Sequence, residues 1–265
     1  MSDAPLLVSR GGGVVRATLN RPARRNALSR EMVAAFDALL AELRDDASVR
    51  VLVITGAGGH FCAGLDLDEA GGSGATAEER LEAALARNRR TGERLAAIAA
   101  LPQVVVARIE GSAFAGGLGL VCAADIALAS AEARFAAPEV RRGLVPAQIL
   151  PWLVRRMGRS AAGRLVLQGG AIDAAAAARA GLVHEVAPDA AALDALVEAT
   201  LRDIRAGGPG ALAETKALLA ALGEVAPPAY AEAGARAFSR CSTGPEAAEG
   251  IAAFKAKRQP NWAAG

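Results

Sequence analysis

The apolar positions of the chain repeat with two different periods. Short runs rich in β-branched residues lie at Val14 to Leu19, Val51 to Ile54, Val104 to Ile109 and Ile126 to Leu128, each closing near Gly, Asn or polar residues. Runs of that length and type predict buried strands. Between them the period lengthens to that of a helix. Ser29 to Arg44 carries Val33, Phe36, Leu39, Leu40 and Leu43 on one stripe, with Ser29 placed to cap it and Glu31 in the first turn. Glu78 to Ala100 is a second long helical stretch, and the small residues of Ala70 to Ala77 before it predict a mobile loop. Strands alternating with helices put the first two thirds of the chain in the α/β class.

From Ala190 onward the pattern is helical, broken at Gly207-Gly208-Pro209, Pro227-Pro228 and Thr243-Gly244-Pro245. The expected organisation is a core over residues 1–207 and a helical C-terminal region over 208–265. Its Ala-rich helices carry narrow apolar stripes, so part of this surface is expected to be buried against another subunit. Ala174 to Ala178 reads as helix-forming sequence, and no repeat of fixed period is visible.

Composition narrows the function. A chain of 265 residues, 52% of them hydrophobic, can bury a sizeable core. Its 30 Lys and Arg nearly balance 28 Asp and Glu, leaving a formal charge of +2 and no electrostatic footprint for nucleic acid or an anionic membrane. A small molecule or a second copy is the expected partner. Cys62, Cys122 and Cys241 are far apart and lack metal-ligand spacing, which suits free thiols in a reducing compartment. His60 and His184 have no acid or nucleophile at motif spacing, so both are read as structural and no metal is expected. The N-terminal segment resembles no signal peptide and no run approaches a membrane span, so a cytoplasmic protein is expected.

Two glycine-containing turns follow strands. Ile54 runs into Thr55 to Leu67, whose small residues allow a ligand to approach the main chain. Val104 to Ile109 leads through Gly111, Gly116 and Gly117 into an apolar segment that looks helical, and a helix N-terminus there would aim N–H groups at a developing oxyanion. Neither turn contains a phosphate-loop or dinucleotide fingerprint. Taken alone, glycine after a strand more often marks an ordinary turn than a functional loop.

Taken in order, several segments resemble the crotonase, or enoyl-CoA hydratase/isomerase, family. They are Leu19-Asn20-Arg21-Pro22 with Arg25-Asn26-Ala27-Leu28, Phe61 to Leu67, Gly111 to Gly117, Ala124-Asp125-Ile126, Pro138-Glu139, Gly181-Leu182-Val183 and Glu249-Gly250 to Arg258. The resemblance spans nearly the whole chain. It implies a ClpP/crotonase-like spiral of ββα units, followed by C-terminal helices that form a homotrimer, often paired into hexamers. It also implies an acyl-CoA thioester as substrate, with coenzyme A entering only as part of that substrate and no separate cofactor.

Carried over by position, the family's oxyanion hole falls on the N–H groups of Leu65 and Gly116, with Ala63, Asp66 and Leu67 of the same turn at the substrate. Of the two glutamates that hydratases of the family use, one matches Glu139 and the other matches Gly119, which has no side chain. Arg24 and Arg25 match a phosphate contact, Lys257 a lysine near the nucleotide end, and Phe238 an aromatic near the adenine. Gln148 offers an amide that could position water, whereas Glu110, Asp66 and Asp125 sit where an acid usually supports a turn. The expected activity is that of an enoyl-CoA hydratase, a lyase working with one glutamate. A double-bond isomerase using the same glutamate, or an acyl-CoA binding protein without catalysis, also fits Gly119.

Overall fold

The inner strands of the larger sheet place alternate residues in two apolar environments. The computed structural model describes residues 4–70, 76–222 and 244–263. Strands β1 (Leu6–Gly11) and β2 (Val14–Leu19) form an antiparallel hairpin, and β2 continues in parallel to β3 (Val51–Gly56) and β4 (Val104–Ile109). Beyond β5 (Ser112–Phe114), the sheet is completed by β6 (Ile126–Ser130) and, past β7 (Arg134–Ala136) and β8 (Ile172–Asp173), by β9 (Glu185–Ala187). In register, Leu52, Ile54, Val105, Ala107, Ala127 and Ala129 face the main core, while Val51, Val53, Val106 and Leu128 face the other way. A strand buried on both faces reads as a continuous apolar run, which explains why these four runs were visible in the sequence.

A second row of short pairings runs beside the sheet. Leu28 bridges Leu65, Cys62 bridges Ala113, β5 pairs with β7, and β7 pairs with β8. Each turn of the chain therefore supplies one long strand and one short segment before a connecting helix, which is the expected spiral of ββα units. Helix α1 (Arg30–Arg44) starts on Ser29, whose side chain accepts the N–H of Met32. It buries Met32, Phe36, Leu39, Leu40 and Leu43 in the core, with the predicted Val33 only half-buried. Helix α2 (Leu67–Ala70) is a single short turn. Helix α3 (Ala77–Ala100) opens with a reciprocal cap in which Thr76 accepts from Glu79 N–H and Glu79 accepts from Thr76 N–H. Residues 71–75 of the expected mobile loop lie outside the described residues.

Helix α4 (Gly116–Ala123) is buried and packs between α3 and α5 (Leu150–Gln168). After α6 (Ala174–Arg179), helix α7 (Ala190–Ala206) covers the second face of the sheet with Leu193, Val197, Leu201 and Ile204. Helix α8 (Pro209–Ala221) is fastened to the core by Lys216, whose Nζ donates to the Gln103 carbonyl (2.8 Å) and pairs with Asp125 (2.7 Å). A last helix, Pro245–Lys255, caps α8 in turn, because Glu246 accepts the N–H of Gly210 at 2.9 Å. The described part of the C-terminal region thus closes onto the sheet, with Trp262 Nε1 donating to Ala206 O at 3.1 Å.

Candidate active site

Two turns from successive windings meet at the N-terminus of α4. In the first, Leu28 N–H donates to Gly64 O (2.7 Å) and Asp66 N–H donates to Leu28 O (3.1 Å). A parallel bridge of this kind engages the residues on either side of Leu65 and leaves the N–H of Leu65 itself pointing away from Leu28. In the second, Gly116 is the first residue of α4, so its N–H is one of the orphan donors at a helix start. Among the described residues neither N–H has an acceptor.

The turns are in van der Waals contact. Gly64 sits at φ +94°, and a Cβ there would lie 2.8 Å from Ala115 Cβ, 3.0 Å from Phe114 O and 3.3 Å from Gly116 N. A Cβ on Gly116 would in turn lie 3.9 Å from Leu65 N. Only glycine fits position 64, and the two free N–H groups flank it. Ala115, between β5 and α4, adopts φ 49° and ψ −119°, a backbone conformation that an L-residue holds only when its surroundings impose it. The bond from Ala115 N–H to Ala136 O (2.9 Å) is part of that constraint. At the far end of α4, Arg156 of α5 donates to the carbonyls of Val121, Cys122, Ala124 and Asp125. A half-buried cation there complements the negative end of the helix whose positive end carries Gly116.

Glu139 opens a short 3-10 turn, Glu139–Arg142, that follows β7 three residues after Ala136. The carbonyl of Ala136 holds the Ala115 turn, so the same strand end carries both features. One carboxylate oxygen of Glu139, Oε2, is buried and has no hydrogen-bond partner. Burial raises the pKa of this carboxyl, opposed by its own backbone N–H and by Arg142. An unpartnered buried carboxylate is costly to keep unless a ligand or a proton uses it.

At Gly119 the expected space for a second carboxylate is filled. A Cβ there would meet Ile149 Cγ2 at 2.7 Å and the two Cδ atoms of Leu95 at 3.2 and 3.4 Å. Gln148, the expected water-positioning amide, is turned elsewhere: its Nε2 donates to Asn88 Oδ1 at 2.7 Å and its Oε1 abuts Gly92 on α3. The sequence reading overlooked Leu95 and Ile149 because Leu95 looks like an ordinary core residue of α3 and Ile149 like an apolar residue leading into α5. It also overlooked Arg156, whose partners are main-chain carbonyls that leave no motif.

The remaining candidates distribute as follows. Ala63 N–H donates to Arg25 O (2.9 Å), stitching the Leu65 turn to the Arg21–Leu28 loop, and Leu67 begins α2. Both oxygens of Asp66 are engaged, one by Arg21 (2.7 Å) and one by the N–H of Asp68 (3.1 Å), and Arg21 holds its pKa below the ordinary carboxylate value. Arg24 pairs with Asp68 at 2.8 Å on the surface, whereas the exposed Arg25 guanidinium has no partner among the described residues. Lys257 is exposed in the turn that ends the last helix, and Phe238 lies outside the described residues.

Each histidine is hydrogen-bonded within the fold. His60 Nδ1 meets the Ser112 hydroxyl at 3.1 Å, and His184 Nδ1 accepts the N–H of Ala127 at 3.0 Å. Glu110 pairs with the Arg108 side chain, and Asp125 just before β6 accepts the Val105 N–H at 2.7 Å as well as pairing with Lys216. Burial pushes the Cys62 thiol up to about 12, which makes it a packing residue and a poor nucleophile. Among the described residues no group of His, Cys, Asp and Glu could hold a metal ion, and no helix is long and apolar enough to cross a membrane.

Comparison with known proteins gives the family of the chain. Residues 9–265 match the family model for enoyl-CoA hydratase/isomerase. The chain is 34% identical to the 2,3-dehydroadipyl-CoA hydratase of Escherichia coli, covering 97% of this chain and 98% of that protein. It is 36% identical to the enoyl-CoA hydratase ACTT6 of Alternaria alternata, of whose length the match spans 66%. Among solved structures, Pseudomonas aeruginosa AtuE superposes with a TM-score of 0.93 at 45% identity, covering 98% of this chain and 99% of that one. An enoyl-CoA hydratase/isomerase from Marinobacter aquaeolei gives 0.91 at 38% identity, covering 98% and 99%. With both sequence and fold matched along almost their full length, the chain belongs to the enoyl-CoA hydratase/isomerase family, and its fold is the crotonase fold.

Proposed function

We propose that the protein is an enoyl-CoA hydratase that uses Glu139 as its single general acid and base. The observation that carries this reading is the pair of acceptor-free N–H groups, Leu65 and Gly116, flanking a glycine whose missing Cβ keeps the space between them open. A thioester oxygen accepting from both would gain stabilisation as negative charge develops on it, and one such donor is typically worth about 3 kcal/mol. In hydration, the oxygen of water bonds to C3 while Glu139 takes a proton from that water. The C2=C3 electrons move toward the thioester oxygen as the enolate. Glu139 then returns the proton to C2, so water is added with no other reactant.

A second reading, double-bond migration, is favoured by the carbon atoms around Gly119. There Glu139 would remove a proton from C2 of a 3-enoyl thioester, giving a dienolate whose oxygen rests on the same two N–H donors, and return it to C4 as the double bond moves to C2=C3. Arg25, the arginine of its loop without a side-chain partner, would contact coenzyme A phosphate, with Arg24 joining when its pair with Asp68 opens. Lys257 and Phe238 would face the nucleotide. Leu167 and Phe254, 80% and 85% exposed in the single chain, supply apolar surface for a homotrimer or a hexamer of paired trimers. A cytoplasmic location fits the free buried thiols Cys62 and Cys122.

Product analysis with 2-enoyl and 3-enoyl thioesters in labelled water tests the proposal. A 3-hydroxyacyl product supports hydration, and isotope exchange with bond migration alone supports the isomerase. If Glu139→Gln leaves turnover of both thioesters unchanged, Glu139 is not the general acid and base; if the wild type binds acyl-CoA and turns over neither thioester, a binding protein remains.

A further inference from the structure

We infer that Leu95 and Ile149 form an apolar plug that sets how fast this site hydrates a 2-enoyl thioester relative to moving the double bond of a 3-enoyl thioester. The inference rests on the one-glutamate reading above and assigns its specificity to two residues outside the matched motifs.

Gly116 and Gly119 are three residues apart on α4, so their Cβ directions share one face of the helix. The Gly116 direction ends 3.9 Å from Leu65 N, which identifies that face as the one turned toward the paired donors. One turn further along, the atoms nearest a Cβ on Gly119 are Ile149 Cγ2 and the Cδ atoms of Leu95, all carbon. Both side chains are buried, with Leu95 at 2% and Ile149 at 3% exposure. The neighbouring amide that could reach water, Gln148, is spent on Asn88. A water molecule needs two to four polar partners to be held in a protein interior, and this wall offers carbon. Along this part of α4 a bound 2-enoyl thioester therefore meets a dry surface, and water attacking C3 has Glu139 to hold it but no partner at Gly119. That surface slows addition of water without impeding proton transfer between carbons.

The test measures, for each variant, kcat/KM for hydration of crotonoyl-CoA and for bond migration in 3-butenoyl-CoA, and takes their ratio. Gly119→Glu alone has no room and should lose both activities, whereas Gly119→Glu with Ile149→Ala regains space for the carboxylate. The paired variant should raise the hydration-to-migration ratio about tenfold or more over wild type, one decade being about 1.4 kcal/mol of relative barrier. Ile149→Thr, which is smaller and carries a hydroxyl at the plug, should raise it about threefold, with Ile149→Val as the apolar control near the wild-type ratio. Should the paired variant fail to fold, the Thr and Val variants decide the matter. An unmoved ratio in folded variants of an active enzyme overturns the plug alone. A wild type inert toward both thioesters overturns the one-glutamate reading and this inference with it.

Discussion

Replacing Gly64 with alanine strikes the geometry on which the oxyanion hole depends. The new Cβ would lie 2.8 Å from Ala115 Cβ. A comfortable carbon–carbon contact begins at about 3.5 Å, so the turns must separate by roughly 0.7 Å. A hydrogen bond of about 2.9 Å stretched by that amount is no longer one, so the substrate oxygen keeps at most one donor. Loss of one donor is worth about 3 kcal/mol of barrier, which is roughly a 150-fold fall in kcat. The positive φ adds a stability cost of about 1–2 kcal/mol that must be separated from the kinetic effect. Gly59→Ala supplies the control, because Gly59 sits at φ +75° with nothing within 4 Å of its Cβ direction. Steady-state kinetics on an enoyl-CoA, with thermal melts on both variants, separates the two. The expected result is a slow but folded Gly64→Ala enzyme beside a Gly59→Ala enzyme that is less stable and kinetically normal. A folded Gly64→Ala variant with kcat within about threefold of wild type would refute the reasoning.

Glu139→Gln should lower kcat by about 10²–10⁴-fold while KM moves little, because the group acts on protons in the transition state. The same variant carries a pH signature. Burial raises the folded-state pKa of Glu139 above its ordinary value of 4.5, so the folded state binds more protons than the unfolded one between those two values. Stability is therefore lost as pH rises through that window, and Glu139→Gln should be more stable than wild type near pH 8 with the difference vanishing below about pH 4.5. Paired melts across pH check this, and a difference that grows on acidification would contradict it. Arg156→Met should strand the α4 carbonyls and cost about 2 kcal/mol, roughly 4–8 °C in melting temperature, together with a fall in kcat as Gly116 loses its support.

The large sheet was legible because β3, β4 and β6 are buried on both faces and so appear as unbroken β-branched or Ala-rich runs. The short segments of the second row were not. β5, β7 and β8 are two or three residues long, too few to show a period, and their pairing is decided by the windings above and below. Strand β1 was hidden for another reason, since its Ser9, Arg10 and Gly11 are exposed at the sheet edge and carry no apolar alternation. At the site, Gly64 and Gly116 were visible as glycines in matched motifs, whereas the contents of the Gly119 space were invisible. Leu95 comes from α3 and Ile149 from just before α5, so only tertiary packing brings them together. Gln148 misled for the same reason: its neighbour in space is Asn88, 60 residues earlier in the chain.

The claim that the Leu65 and Gly116 N–H groups serve an enolate made and quenched by Glu139 is tested most directly by deuterium exchange. Crotonoyl-CoA and 3-butenoyl-CoA, each incubated with the enzyme in deuterated water and followed by proton NMR, report enolate formation by hydration and by migration respectively. Wild type should place deuterium at C2 or C4, and Glu139→Gln should slow that incorporation by about 100-fold or more. Undiminished incorporation in Glu139→Gln, or none in wild type, would contradict the account.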